Sequence, residues 1–173
     1  HGCAFIASRV VPVRDIESPS GKYEIGTQIF HWIDNTRDEW FSSEEGDKRE
    51  LMVQVWYPAL KPNELIDPYP WIDNAKLREE AIMENFKVPK FVAKAIDRVD
   101  TGTYLNSIPI LSEKFPIVIF SHGFEGFRSQ NTTQIQELAS NGYIVFALDH
   151  TYDATLTIMS DGRLIPNAKK YCY

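Results

Sequence analysis

The chain has 173 residues, of which 43% are hydrophobic and 24% are charged, and its formal net charge is -6 at pH 7. This length and composition are those of one ordinary globular domain, and they exclude a disordered or fibrous chain. The acidic balance and the lack of a basic run argue against nucleic-acid binding, which needs clustered Lys and Arg. No stretch of the sequence approaches the ~20 apolar residues of a membrane span.

The two ends of the sequence leave the cellular compartment open. The chain begins at His1 rather than Met, so we expect that the native N-terminus is missing. A secreted or membrane-anchored parent protein is compatible with this, and the compartment stays open. Cys3 and Cys172 lie near opposite ends, and neither belongs to a C-x-x-C pair. They are interpreted as two unremarkable thiols, with a terminus-to-terminus disulfide as the alternative.

The first predicted elements are two strands. Residues 23–32 and 51–57 are rich in β-branched and aromatic side chains, and the polar residues 34–49 between them predict a loop. Pro58 is expected to end the second strand. The two strands should form an antiparallel pair at the start of a sheet.

Residues 60–110 are predicted to be a helical excursion from this sheet. Four prolines within 58–74 indicate a surface segment, and 75–97 show helical periodicity. The two apolar stripes consist of Leu77, Ala81, Ile82 and Phe86, and of Phe91, Val92, Ala95 and Ile96. These helices either cover the sheet or act as a lid or an interface-binding segment.

The second half of the chain contains a strand, a helix and another strand. Residues 115–120 and 143–148 are continuous apolar runs, typical of strands buried on both faces of a parallel sheet. Residues 131–141 between them read as a helix that Gly142 ends. A βαβ unit of this size predicts the α/β class with a mainly parallel sheet and an antiparallel start.

Ligands in such sheets bind at the carboxyl ends of the strands, where residues 121–127 and 149–153 should emerge. A strand followed by His-Gly is typical of a loop that stabilises an oxyanion through a backbone N–H. Gly123 is expected to let the backbone turn sharply, and the Phe124 N–H is the candidate donor. The rings of Phe124 and Phe127 are candidate substrate contacts. The alternative is a glycine loop that only connects a strand to a helix.

The histidines and carboxylates at this edge allow two interpretations. His122 is expected to have a structural hydrogen-bonding role rather than to act as a base. Asp149, His150 and Asp153 suggest either a metal site or a network that shapes the edge, and neighbouring side chains at a strand end converge poorly on a metal. We therefore expect no metal and no cofactor.

The sequence contains no G-x-S-x-G motif. Serines 121, 129, 140 and 160 lack the context of a nucleophile elbow. Where this motif is used, the chain order is Ser, then Asp or Glu, then His. We therefore expect the chain to stop before the nucleophile, with all three residues beyond Tyr173.

Six segments of the sequence resemble the N-terminal region of platelet-activating-factor acetylhydrolase-like enzymes. They are residues 18–26, 32–39, 49–59, 115–124, 138–145 and 149–153. The resemblance covers most of 19–165 and is weakest in 60–110. The Trp-Tyr-Pro and Phe-Ser-His-Gly blocks in this order carry its specificity.

The resemblance implies that residues 1–173 are the N-terminal part of a single α/β-hydrolase domain. It implies a calcium-independent serine esterase that releases short or oxidised acyl chains from phospholipids, or cleaves other esters such as lactones or polyesters. The oxyanion position of the family maps onto Phe124. The partner is then a small-molecule or lipid ester, with transient contact to a membrane or lipid aggregate. The alternative is a non-catalytic binding module of the same fold.

Overall fold

The computed structural model describes residues 17–62, 67–90, 99 and 101–168. Both cysteines and the second predicted helical stripe lie outside these residues. The described elements, in chain order, are β1 (Glu24–Asp38), β2 (Lys48–Ala59), α1 (Ala75–Phe86), β3 (Thr103–Leu105), β4 (Ile117–Ser121), α2 (Thr132–Ser140), β5 (Ile144–Asp149), β6 (Leu156–Ile158) and β7 (Leu164–Pro166).

The first five strands form one mixed sheet in the order β3-β1-β2-β5-β4, and β6 and β7 form a separate antiparallel pair. The predicted antiparallel pairing of β1 with β2 is confirmed. The predicted parallel pairing across the βαβ unit is also confirmed, with β4 beside β5. β2 lies between β1 and β5 and is antiparallel to both.

One face of the sheet packs against α2. Its core consists of Ile25, Trp56, Ile135, Ala139, Val145 and Ala147. The helix lies in this position because its apolar side chains recur on one side and because Gly142, at φ 92°, ends it in the left-handed conformation that glycine favours. The helix prediction for 131–141 is thereby confirmed within one residue at each end.

The opposite face of the sheet is apolar and partly open. Val53 and Val55 are buried there, but on β4 the side chains of Ile117 and Ile119 are 63% and 73% exposed. Burial of β4 on both faces, expected from its apolar sequence, is therefore wrong for the described part of the chain. Within those residues β4 is also an edge strand, paired with β5 alone.

Two boundaries differ from the predictions because pairing, not polarity, sets them. β1 continues to Asp38 through residues expected to be loop, since Asp34 pairs with Arg49 and Asp38 with Lys48. β2 runs through Pro58 to Ala59. The proline is tolerated because β5 pairs with β2 only as far as Trp56, so no ladder bond from its nitrogen is needed on that side.

The helix α1 lies within the predicted range, and of the predicted apolar stripe it buries Ile82 but not Leu77 or Phe86. Leu77 and Phe86 of the expected apolar stripe are 53% and 44% exposed, whereas Arg78 and Ile82 are buried. Arg78 turns inward because it has ionic partners in the interior, which hydrophobic periodicity does not reveal. In the described residues no helix is long and apolar enough to cross a bilayer.

Candidate active site

The two segments predicted to meet at the carboxyl edge of the sheet do meet there. Ser121 at the end of β4 pairs with Leu148, and β5 ends one residue later. The loop Ser121–Arg128, here called the β4 loop, therefore begins beside the turn that follows β5. The parallel pairing of two strands is what brings these distant segments together.

The turn within the β4 loop runs from Gly123 to Gly126. The Gly126 N–H donates to the Gly123 carbonyl over 2.8 Å, and Glu125 takes the left-handed conformation at φ 59°. Gly123 does not have a positive φ, and a Cβ built on it would meet no atom within 4 Å. A Cβ on Gly126 would lie 2.9 Å from the Gly123 carbonyl oxygen. Gly123 thus begins this turn and Gly126 ends it, Glu125 is its left-handed residue, and the approach of Gly123 to a substrate stays a prediction.

His122 has the structural role predicted for it. Its Nδ1–H donates to the Gly123 carbonyl over 2.7 Å, and its Nε2 accepts the His150 backbone N–H over 3.1 Å. These contacts define the neutral tautomer with hydrogen on Nδ1 and occupy both ring nitrogens. The ring is 6% exposed, so it is placed to brace the β4 loop rather than to exchange protons with a substrate.

His150 contacts the beginning of the same loop. Its Nε2 lies 2.7 Å from the Ser121 hydroxyl, and its ring stands edge-on to that of His122 at 4.8 Å between centroids. Burial lowers the pKa of His150 below its usual 6.5, and the neighbouring His122 adds to this effect. The neutral form of the ring is therefore favoured in the folded protein.

Asp149 contacts the other end of the loop. Its side chain is completely buried, and its Oδ1 accepts the Arg128 backbone N–H over 2.7 Å while its Oδ2 pairs with the Arg128 guanidinium. Arg128 also donates to Asp73 over 2.7 Å, and Arg78 lies 3.7 Å from Asp149. Burial lowers the pKa of Arg128, but the carboxylates of Asp149 and Asp73 more than offset this and raise it.

These contacts favour the network interpretation over a metal site. The carboxylate of Asp149 is already neutralised by arginine, and His150 points its Nε2 at a serine hydroxyl. In the part of the chain that the structure describes, no three His, Cys, Asp or Glu side chains converge as metal ligands would.

Thr155, a few residues further along the chain, completes the attachment of the loop. Its backbone N–H donates to the Gly126 carbonyl over 2.9 Å, and its hydroxyl donates to the Glu125 carbonyl. Residues 149–155 thus contact the β4 loop at its start, middle and end.

The two phenylalanines of the loop differ in environment. Phe124 is 74% exposed at the open edge of the sheet. Phe127 is buried in a cluster with Ile72 and Ile82, and its ring stands edge-on to Phe86 of α1. Core packing accounts for Phe127, so it is no longer a candidate for substrate contact, whereas Phe124 has the open position that the prediction requires.

A cavity of about 370 Å³ lies at the same edge, where β1 ends and β2 begins. Its lining residues are Arg37, Asp38, Glu39, Trp40, Phe41 and Arg49. Arg49 donates to the Thr151 carbonyl over 3.0 Å, and Phe41 stacks on Tyr152. The turn after β5 therefore separates this cavity from the β4 loop.

The sequence interpretation missed Arg128, Asp73, Arg78 and Thr155. The three charged residues carry no motif, and each lies in a segment where a surface position is the usual expectation. Arg128 stands between Phe127 and Ser129 and Arg78 between Leu77 and Glu79, and neither context distinguishes a buried arginine from an exposed one.

Comparison with known proteins identifies relatives of the chain. The family model described as "Platelet-activating factor acetylhydrolase, isoform II" matches residues 10–164. A platelet-activating factor acetylhydrolase from Cavia porcellus is 32% identical over 102 residues, which cover 57% of this chain and 23% of that protein. The solved structure of a ferulic acid esterase from Streptomyces cinnamoneus is similar with a TM-score of 0.73 and 30% identity, covering 90% of this chain and 41% of that one. The chain thus spans less than half the length of either relative.

Proposed function

Since the chain belongs to the platelet-activating factor acetylhydrolase isoform II family, we propose that it forms the N-terminal part of an ester hydrolase domain. The β4 loop carries this proposal, because it leaves the carboxyl end of a parallel strand with Gly123 and Phe124 exposed, while His122, His150 and Asp149 brace it from inside. In this role the Phe124 backbone N–H is one donor of an oxyanion hole.

The proposed reaction is acyl transfer to a serine. The serine oxygen attacks the ester carbonyl, the oxyanion that forms accepts hydrogen bonds from backbone N–H groups, and the alcohol leaves to give an acyl-enzyme that water hydrolyses. The serine, the acid and the base come from outside these 173 residues, since no G-x-S-x-G is present and the order in this fold is Ser, Asp or Glu, His. His122 is unsuited to the role of base because both of its ring nitrogens are occupied.

The proposed substrate is a phospholipid with a short acyl chain at the sn-2 position, the type of ester that the family name indicates. A second candidate is another carboxylic ester, which the similarity to a ferulic acid esterase over 90% of the chain favours. In both cases the exposed ring of Phe124 borders the acyl group. Contact with a lipid aggregate is part of the first proposal only.

The test uses the full-length protein encoded by the parent reading frame. An sn-2 acetyl phospholipid, methyl ferulate and p-nitrophenyl esters of increasing chain length are compared as substrates. The highest kcat/KM for the phospholipid would support the first substrate, and the highest for methyl ferulate the second. A parent reading frame without G-x-S-x-G, together with no turnover of any ester, would show instead a non-catalytic binding module.

Two substitutions at Phe124 separate its backbone from its ring. Phe124→Pro removes the N–H and should lower kcat by roughly 10²-fold or more, as loss of an oxyanion donor does. Phe124→Ala keeps the N–H and is the matched control, which should retain kcat and change only the preference for acyl chains. Equal activity of the two folded variants would refute the oxyanion assignment.

A further inference from the structure

The β4 loop ends at Arg128, which belongs to a charged cluster inside the protein. Asp149, Arg128 and Arg78 have side chains that are 0%, 2% and 4% exposed, and the fourth member, Asp73, is 12% exposed. The two arginines and two aspartates balance in formal charge. Because a buried charge without a partner is costly, each member of the cluster constrains where the others can lie.

The contacts of Asp149 distinguish it from an ordinary ion-pair partner. One carboxylate oxygen accepts the Arg128 backbone N–H and the other pairs with the Arg128 side chain. A single side chain on β5 therefore fixes both the main chain at the end of the loop and the direction of the Arg128 side chain. The Arg128 guanidinium in turn reaches Gln54 on β2 over 3.4 Å and Asp73 beside α1 over 2.7 Å.

We propose that Asp149 and Arg128 are positioning residues for ester hydrolysis, which set the place of the β4 loop and hence of the Phe124 N–H. This inference rests on the proposed function. Stabilisation of an oxyanion requires donors 2.7–3.1 Å from the position that the charge will occupy, and an error of about 1 Å can lower the rate by roughly 10²-fold.

The described contacts of the loop lie at its two ends and at Glu125 and Gly126. Gly123 and Phe124 are exposed, and the residues on either side of them carry the described contacts, with Thr155 holding the carbonyls of Glu125 and Gly126. At one end Ser121 and His122 are held by His150, and at the other Arg128 is held by Asp149. Hydrogen-bonded ion pairs define direction, whereas apolar packing of equal stability would allow the loop end to slide.

The experiment compares three variants of the full-length protein with the wild type. Asp149→Asn keeps an oxygen that can accept the Arg128 N–H but removes the charge, and Arg128→Lys keeps the charge but loses the forked geometry. Glu50→Gln is the matched control, because Glu50 is a largely buried carboxylate whose side chain pairs with His31 and Arg163 instead of the loop. For each variant we measure kcat and KM for p-nitrophenyl acetate, inhibition by a trifluoromethyl ketone and thermal melting.

We expect kcat to fall by roughly 10- to 100-fold in Asp149→Asn and Arg128→Lys, with KM changed less than about threefold. The inhibition constant of the trifluoromethyl ketone, which mimics the tetrahedral intermediate, should rise by the same factor as kcat/KM falls. Glu50→Gln should melt at a lower temperature and keep its kcat. A merely structural role would lower the melting temperature of all three variants without this kinetic pattern.

The outcomes separate the two proposals. A wild-type protein that hydrolyses no ester would refute the proposed function. An active wild type whose Asp149→Asn and Arg128→Lys variants keep kcat within about threefold would overturn the positioning role and leave the proposed function standing. If Asp149→Asn does not fold, the kcat of Arg128→Lys alone tests the positioning role, because lysine keeps the positive charge that Asp149 needs as a partner.

Discussion

Two glycines three residues apart in the β4 loop should respond oppositely to alanine. A Cβ on Gly126 would lie 2.9 Å from the Gly123 carbonyl oxygen and 3.0 Å from the His122 Cβ, against 3.4 Å for ordinary contact, so the backbone must move by about half an ångström. The third close atom, Oε1 of the exposed Gln130, is at the end of a flexible side chain and can move away. A Cβ on Gly123 would meet nothing.

The free energy of unfolding follows from these contacts. Overpacking costs about 1–3 kcal/mol. The Gly123 carbonyl that must move also accepts hydrogen bonds from Gly126 and His122, which are worth about 1 kcal/mol each. Gly126→Ala should therefore lose about 1–3 kcal/mol. Gly123→Ala should be neutral or should gain up to about 1 kcal/mol, because alanine restricts the unfolded chain.

Urea unfolding of the full-length protein, followed by tryptophan fluorescence, measures both values, provided that the m-value is unchanged. Gly123→Val in the same protein should remain folded and lose roughly 10²-fold in kcat, as loss of an oxyanion donor does. A Cβ at this position meets no atom of the described residues within 4 Å, so we expect the loss to come from the substrate side. If Gly123→Ala destabilises as much as Gly126→Ala, the geometry of the loop is wrong. A folded Gly123→Val with near-normal kcat would refute the approach of substrate to this residue.

Three further predictions concern stability and solubility. The 173-residue chain alone should aggregate and hydrolyse no ester, because β4 presents an apolar edge; a soluble monomer with a sharp melting transition, or turnover above a buffer control, would contradict this. Ile119→Lys should raise the soluble fraction of that chain, since Ile119 is already 73% exposed, whereas Val145→Lys at a fully buried position should prevent folding. Equal soluble fractions of the wild-type chain and Ile119→Lys after centrifugation would show that β4 is not the aggregating edge. In the full-length protein, the free energy of unfolding should fall as the pH drops below 6.5, the ordinary pKa of histidine. Below this pH His150 binds a proton in the unfolded chain, whereas in the folded chain its lowered pKa keeps it neutral to a lower pH. His150→Gln should reduce this slope in urea midpoints measured between pH 8 and pH 5, and an identical slope in both proteins would argue against the lowered pKa.

Local patterns predicted the βαβ unit well, because its strands are continuous apolar runs and Gly142 marks the end of α2. They failed where tertiary pairing overrides composition. The polar end of β1 is a strand because Arg49 and Lys48 lie opposite it on β2. Arg78 faces inward because it forms an ion pair with Asp73 there. Neither partner can be identified from spacing along the chain.

In the candidate site, too, some features were predicted from the sequence and others depend on tertiary contacts. The meeting of residues 121–127 with 149–153 followed from the rule for parallel strands. The hydrogen-bonding role of His122 was predicted from its place directly after the strand and before the turn. Gly123 indicated where the turn begins, but the left-handed residue of that turn is Glu125, which the glycine pattern does not identify. The attachment of the loop through Arg128 depends on a side chain seven residues from the strand end, for which sequence gives no rule.

The central place of β2 in the sheet has a consequence for how the protein is made. Its first neighbour, β1, lies just before it in the chain, but its second neighbour pairs Met52 with Asp149, almost a hundred residues later. A ribosome must therefore complete the excursion, β4 and α2 before β2 acquires its second partner. Until then the edge of β2 that faces away from β1 has no partner strand, and the chain segment that must close to bring β5 to it is long enough to make closure slow. The β1–β2 hairpin is accordingly the part of the nascent chain that most needs protection from other chains during synthesis.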